Sequence, residues 1–373
     1  MTILSIYFLT LPNTTAQQIG FYTAIGNLAG FLLEIPSGYL SDRLGHKFTL
    51  VLAKVSLFFS TFCFIFFQTF YGFILGSILL TISTAFVSGT ISAFMHDTLH
   101  SLGREKDFSK ITGKTKANVS LLSVFFIIGL PFFTTINIIL PLIISLVLDI
   151  FGLLISLILV TPKEETTEQE KKQKTISQIL RETKSLNFFP FALFTGTVLG
   201  FSLGDVFKYV YLESLSYPVL YVGFVMGLSR LVWFLIGNAI PFIEKHVSIK
   251  QLLLFETVFF PLSLFLIAYT NNPWFAAALF IVKAGYVFGR GPIFEQYILT
   301  NYLSDKRYKA TLLSLQNQIS FLFQVLVPFL IAYIVSYSFK LGYYAMSFSL
   351  FCILASSLLF ILRSLGEKPA AAP

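Results

Sequence analysis

Long apolar runs separated by short polar breaks fill this chain from end to end. Runs able to cross ~30 Å of hydrocarbon as a helix rising 1.5 Å per residue predict eleven full spans. They lie at 17–40, 48–68, 70–97, 115–136, 138–160, 187–211, 217–242, 251–270, 273–300, 310–336 and 341–362. A further apolar stretch, "MTILSIYFLTL" at 1–11, would reach only about halfway across as a helix. The runs are continuously apolar rather than alternating, which argues against spanning strands. The pattern predicts an all-α membrane protein of about 11 full spans plus a partial one.

The polar breaks are of two kinds. One set holds Arg43 and Lys47; Arg104, Lys106, Lys110 and Lys114; the segment Lys163 to Lys184; Lys245 and Lys250; and Lys306, Arg307 and Lys309. The alternate set, "PNTTAQQ", "QTFYG", "FTTIN", "ESLSYP" and "TNNPW", has no lysine or arginine, and only Lys340 falls on that side. Lysine- and arginine-rich connections stay in the cytoplasm. The reading is a multi-pass membrane protein with both termini cytoplasmic.

The longest connection, "TPKEETTEQEKKQKTISQILRETKSLN", is charged in its first half and reads there as disordered. In its second half Ile176, Ile179 and Leu180 recur at helical spacing, which predicts a short interfacial helix. The chain thus divides into a membrane bundle at 1–162, a cytoplasmic linker at 163–186 and a second bundle at 187–373.

The two bundles repeat one another weakly. "IGFYTAIGNLAGFLLEI" from 19 aligns with "VGFVMGLSRLVWFLIGN" from 222, an offset of 203 residues. "SGTISAFMHD" from 88 aligns with "RGPIFEQYIL" from 290, an offset of 202, and Asp42 then falls beside Glu244 and Lys245. Duplication of a six-helix unit is a transporter signature and predicts two bundles with pseudo-two-fold symmetry. About 36 residues separate the linker from Val222, whereas 18 precede Ile19. The first helix is therefore expected to be truncated, as a late start codon or a shortened chain would leave it. The opening segment also lacks the basic region and cleavage site of a signal peptide.

Composition settles the solvent. Hydrophobic residues make up 55% of the 373 and charged residues 12%, against about 25% charged in soluble domains. Lipid must therefore surround most of the chain. A net charge of +8 could indicate nucleic acid elsewhere, but these charges sit between apolar runs, so no nucleic-acid partner is expected. Cys63 and Cys352 lie inside apolar runs without metal or redox spacing. His46, His96, His100 and His246 form no HExxH set, and neither GxSxG nor GxxxxGK[ST] occurs. Metal, cofactor and enzymatic activity are not expected.

The densest polar feature is "FLLEIPSGYLSDRLGHK", Phe31 to Lys47. Within it, "GYLSDRLGHKFTL" is similar to the signature between the second and third helices of the major facilitator superfamily, G-x-L-a-D-r-x-G-r-k-x-x-l. Gly38, Leu40, Asp42, Arg43, Gly45, Lys47 and Leu50 match, while Ser41 and His46 depart mildly. With "LEIP" before it and "SGTISAFMHDTL" after it, the chain resembles a poorly characterised bacterial branch of that superfamily, and the resemblance extends over its whole length. It implies a monomeric secondary active transporter that moves a small solute by alternating access. It also implies that Gly38, Asp42, Arg43, Gly45 and Lys47 form a cytoplasmic gate. Physical chemistry alone supports a compact, breakable electrostatic latch. Glycines allow close approach and a tight turn, and Asp42 can cap a neighbouring helix while pairing with Arg43 or another cation.

Charges at membrane depth cost about 2.5–3.5 kcal/mol each on insertion scales, so each is a candidate functional group. Asp205 and Lys208, three residues apart, are expected to share a helix face and pair. Arg230 sits mid-span, and Lys283, Arg290 and Glu295 follow along the tenth helix. The resemblance places the helices carrying these six residues around a central cavity. Four cations against two carboxylates leave +2, suited to an anionic or zwitterionic solute group; a purely structural ion-pair network fits equally.

Glu34 and Asp97 are proton-coupling candidates, since a desolvated carboxylate holds a proton more tightly, though a structural role fits as well. Lys54 and Glu256 occupy matching repeat positions and are expected to snorkel; nothing in the sequence explains Asp149. The arginine found in helix four of many proton-coupled drug exporters is absent from "GSILLTISTAFVSGTISAF", and the helix-five signature is reduced to "GLP" at 129–131. Drug or metabolite efflux and proton coupling both stay open. The alternative is a non-transporting sensor or scaffold built on a transporter fold.

Overall fold

The structure, a computed structural model, describes residues 16–134, 136–137, 139–161, 177–179, 188–205, 207–218, 221–302 and 308–366. The half-span at 1–11 and nearly all of the linker lie outside them. Within the predicted interfacial helix, residues 177–179 are helical and Ile179 is buried.

The described residues form helices and no strands. In chain order these are α1 (Ala16–Leu44), α2 (His46–Phe66), α3 (Phe70–Ser88), α4 (Thr90–Ser101), α5 (Phe108–Thr134), α6 (Leu140–Ile158) and α7 (Phe188–Leu203). There follow α8 (Lys208–Ser214), α9 (Val222–His246), α10 (Ile249–Tyr269), α11 (Pro273–Gly289), α12 (Gly291–Asn301), α13 (Lys309–Tyr337) and α14 (Phe339–Gly366). Eight segments among them are long and apolar enough to cross a membrane; a bent pair, α7 with α8, makes a ninth if it is one span.

Their sequences explain both their extent and their ends. The helices are apolar nearly all round, as lipid-embedded helices are, and large side chains such as Leu32, Phe125, Ile158, Phe242 and Phe348 point outward. The uncharged connections supply caps. Thr69 accepts from the Gly72 N–H, and Asn272 accepts from the N–H groups of Trp274 and Phe275 ahead of Pro273. Ser248 and Gln251 cap α10 reciprocally. Between α1 and α2 the chain turns on Gly45, whose φ of 96° lies in the left-handed region that glycine enters freely.

Two long helices are interrupted, α3/α4 at Gly89 and α11/α12 at Arg290. The interruptions are related by nearly the same offset that aligned "SGTISAFMHD" with "RGPIFEQYIL". The repeat is thus visible in helix geometry as well as in residue pattern.

The chain folds as two compact units, each drawing on both halves of the sequence. The first gathers the described residues of 1–105, 125–173 and 305–317, and so includes the first turns of α13. Its core packs Tyr22, Phe64, Phe73 and Leu142 together. The second gathers those of 106–124, 174–304 and 318–373, and so includes the first part of α5. Its core contains the ring cluster of Phe191, Phe294, Tyr297 and Tyr302, and a second of Tyr211, Phe280 and Tyr343.

Candidate functional site

In the first unit the motif at the end of α1 grips the start of α13. Asp42 accepts the Ala310 N–H at 3.0 Å, the Thr311 N–H at 2.8 Å and the Thr311 hydroxyl at 2.6 Å. A carboxylate there satisfies amides that a helix N-terminus leaves without intrahelical partners and complements its dipole. Small residues bring the helices close enough. A Cβ on Gly38 would lie 2.6 Å from Ser314 Oγ and 2.8 Å from the Ala310 carbonyl oxygen, and one on Gly89 would lie 2.6 Å from that same oxygen.

Around this cap runs a chain of polar contacts. Ser41 Oγ bonds His46 Nδ1 at 2.7 Å, His46 Nε2 lies 3.0 Å from Asp97 Oδ2, and Asp97 also pairs with Lys309, the first residue of α13. His96, next to Asp97, pairs with Glu105 at 3.2 Å. Arg43 is exposed and lies over the Tyr39 ring, 5.3 Å from its centroid, rather than on Asp42. Lys47 is half-buried one residue beyond His46. The opposite charges crowded into the motif therefore do not pair with one another: Asp42 reaches α13, His46 reaches α4, and Arg43 stays over a ring of its own helix.

Glu34, two turns earlier on α1, is fully buried. Ser88 donates to its Oε1, the Asn317 side chain lies against it, and its Oε2 has no hydrogen-bond partner. Asp149 accepts from the Thr61 hydroxyl at 2.7 Å and faces Lys54, which gives that carboxylate a place in the α2–α6 contact.

The second unit carries a parallel arrangement. Glu244, at the repeat position of Asp42, accepts from the Ser109 hydroxyl at 2.8 Å, in the first turn of α5. The Ser109 N–H donates to Gln296 Oε1 at 2.9 Å, and Lys116 pairs with Glu295 at 2.7 and 2.9 Å. The duplicated halves thus place a carboxylate near the beginning of a helix contributed by the other half.

Deeper in that unit the predicted charges find partners that spacing alone did not reveal. Asp205 and Lys208 do not share a helix face, because the helix breaks between α7 and α8. Asp205 instead takes Lys283 at 3.4 Å and the Tyr343 hydroxyl at 2.9 Å. Glu256, expected to snorkel, is completely buried; Arg290 lies 3.3 Å away and the Tyr286 hydroxyl donates to it at 3.0 Å. The penalty for removing a charge from water explains the pairing: a buried carboxylate persists only with compensating partners.

Two cations are left outside these ion pairs. Lys208 sits over the Tyr209 ring, within electrostatic range of Asp205, Lys283 and Arg230. Arg230 lies over Trp233 and Phe288, 5.1 and 5.3 Å from their centroids, and those two rings stack on each other at 4.9 Å. The Trp233 Nε1–H is buried and has no acceptor. Of the six predicted cavity residues, Asp205, Lys208, Lys283 and Arg230 come together; Arg290 and Glu295 belong to the separate pairs above.

Sequence reading missed Lys309, Thr311, His46, Lys116, Glu256 and Tyr343 as functional partners. Lys309 was legible only as part of a positive loop and His46 only as a mild departure from a motif, while Lys116, inside the span read at 115–136, was not singled out at all. The one signal for Glu256 was its repeat match to Lys54. Among the described residues no group of three or more His, Cys, Asp or Glu side chains could hold a metal.

Known proteins share this architecture. The structure is similar to a point variant of the Escherichia coli fucose:proton symporter FucP, with TM-score 0.69 and 10% identity over 99% of this chain and 95% of that one. It is also similar to FucP in the outward conformation, with TM-score 0.72 and 11% identity over 99% and 94% of the two chains. A bacterial homologue of the iron transporter ferroportin, outward-facing with soaked iron, gives TM-score 0.68 and 12% identity over 98% and 94%. No functionally curated protein matches the sequence. The Major Facilitator Superfamily family model matches residues 1–328, and with so much of its length matched, the chain belongs to the Major Facilitator Superfamily.

Proposed function

We propose that this protein is a secondary active transporter that carries a small solute with an anionic group across the bacterial cytoplasmic membrane by alternating access. Eleven full spans and a partial one, arranged as six-helix bundles at 1–162 and 187–373 with both termini in the cytoplasm, form the working architecture. Asp42 and Glu244 hold the cytoplasmic ends of α13 and α5, and releasing them opens that side. Family membership and the transporter folds of its structural relatives support the general activity.

The observation that carries the substrate class is the charge left over at Lys208 and Arg230. Lys283 is neutralised by Asp205, Arg290 by Glu256 and Glu295 by Lys116. Among the described residues Lys208 and Arg230 have no carboxylate in salt-bridge contact, and the Trp233 N–H beside Arg230, without an acceptor there, is a further donor. Partly desolvated cations beside a free donor attract a carboxylate or phosphate strongly, and the Trp233–Phe288 stack offers it an apolar wall. The test is uptake into proteoliposomes of radiolabelled monocarboxylates, dicarboxylates and sugar phosphates, against neutral sugars and quaternary amines. Saturable uptake of an anionic solute, abolished by Arg230→Gln, is expected. Uptake confined to neutral or cationic solutes defeats the substrate class, and no flux of any solute defeats the transporter reading.

A further inference from the structure

The two carboxylates singled out on the first unit as proton candidates are in opposite situations. Asp97 has two cationic or potentially cationic partners, Lys309 and His46. Its charge is compensated, so it gains nothing by binding a proton. Glu34 has none. It is 0% exposed, its contacts are the neutral Ser88 hydroxyl and the Asn317 side chain, and Oε2 is bare.

Among the described residues, Glu34 makes no contact with a charged side chain of α1, α2, α3, α4 or α13. The nearest charge along its own helix is Asp42 and the nearest along α13 from Asn317 is Lys309. Each is eight residues away, about 12 Å along a helix, and each is already engaged, with the α13 amides and with Asp97 respectively. His46 and His96 are held by Asp97 and Glu105. An ionised carboxylate in such a place would be uncompensated, and water would repay its charge far better than one hydroxyl does.

We propose that Glu34 is a proton-carrying site gated by the α1–α13 contact. Its Oε2 binds a proton from solvent while α1, α3 and the first turns of α13 are packed around it. When that contact opens and water reaches the carboxyl, the O–H bond breaks and the proton leaves to solvent. Neutral Glu34 therefore favours the packed arrangement, and ionised Glu34 favours the open one. Any coupling of this proton to solute movement rests on the transporter reading; the protonation itself does not.

The test uses the full chain in lipid nanodiscs with no solute. Infrared difference spectra in neutral, potassium-containing buffer should show a protonated carboxyl carbonyl band that shifts in D2O and is lost in Glu34→Gln. Amide exchange over 309–317, corrected for its intrinsic pH dependence, should lose protection from mildly acidic to mildly alkaline buffer in the wild type. Glu34→Gln should stay protected in both. Titration of Asp42 would act with the opposite sign, since protonating it weakens the cap towards acid.

Absence of a Glu34-dependent band overturns the proposal, as does Glu34→Gln exchange that follows the wild type. A band that disappears when sodium replaces potassium also overturns it, because Glu34 would then hold a sodium ion. If Glu34→Gln does not fold, Ser88→Ala serves instead. Removing the hydroxyl bonded to Oε1 shifts the band if it belongs to Glu34, and a band left unmoved overturns the assignment. None of these readouts needs transport, so they stand or fall separately from the solute experiment.

Discussion

Replacing Asp42 by alanine removes three hydrogen bonds at once from the start of α13, two of them to backbone amides. Losing a helix N-cap costs about 0.5–2 kcal/mol, and each buried donor left unsatisfied adds about 1–3 kcal/mol. These contributions overlap, so a total of roughly 2–4 kcal/mol is expected for detachment of the first turns of α13. At about 1.4 kcal/mol per factor of ten, the Ala310 and Thr311 amides should exchange roughly 30- to 1,000-fold faster if they exchange by local opening. Asp42→Asn keeps one oxygen, enough for the two Thr311 donors, but sets its NH2 against the Ala310 N–H. It loses one amide bond and the charge that complements the helix dipole, together about 1–3 kcal/mol, or a roughly 5- to 150-fold acceleration at Ala310, with Thr311 less affected than in the alanine variant. Hydrogen–deuterium exchange with mass spectrometry of peptides spanning 309–317 gives the comparison directly. Alanine and asparagine variants with equal exchange, or an alanine variant indistinguishable from the wild type, would show that the cap does not hold α13 in place.

Two further outcomes follow from the same contact. Lys309→Ala leaves Asp97 with the His46 imidazole but without its lysine; breaking one side of a buried pair costs about 3–5 kcal/mol. Adding Asp97→Asn should recover most of that loss in a denaturant-unfolding double-mutant cycle, and simple additivity would argue against direct coupling. Gly38→Ala places a methyl 2.8 Å from the Ala310 carbonyl oxygen, an overpacking expected to cost about 1–3 kcal/mol. It should raise exchange over 309–317 although Asp42 is untouched; unchanged exchange would mean that the helices have room to spare.

The sequence by itself determined the helical class and the repeat. In lipid only helices and closed barrels satisfy their own backbone, and long continuously apolar runs without alternation leave the helix. It also marked the motif at Gly38–Leu50, because glycines and a carboxylate at a helix end have local consequences that spacing reveals. The alignment of "SGTISAFMHD" with "RGPIFEQYIL" marked equivalent positions, but the breaks at Gly89 and Arg290, inside spans read as continuous at 70–97 and 273–300, came only with the structure.

Tertiary structure alone decided which charges meet. Asp205 takes Lys283 rather than Lys208 because α7 and α8 part between them, and Glu256 stays buried because Arg290 arrives from another helix. Asp97 and Glu34 look alike as isolated carboxylates on apolar helices. Lys309, about 200 positions along the chain from Asp97, compensates one, and no cation among the described residues compensates the other. Partner choice depends on which faces of distant helices pack together, and helical periodicity fixes a face without saying what will lie against it.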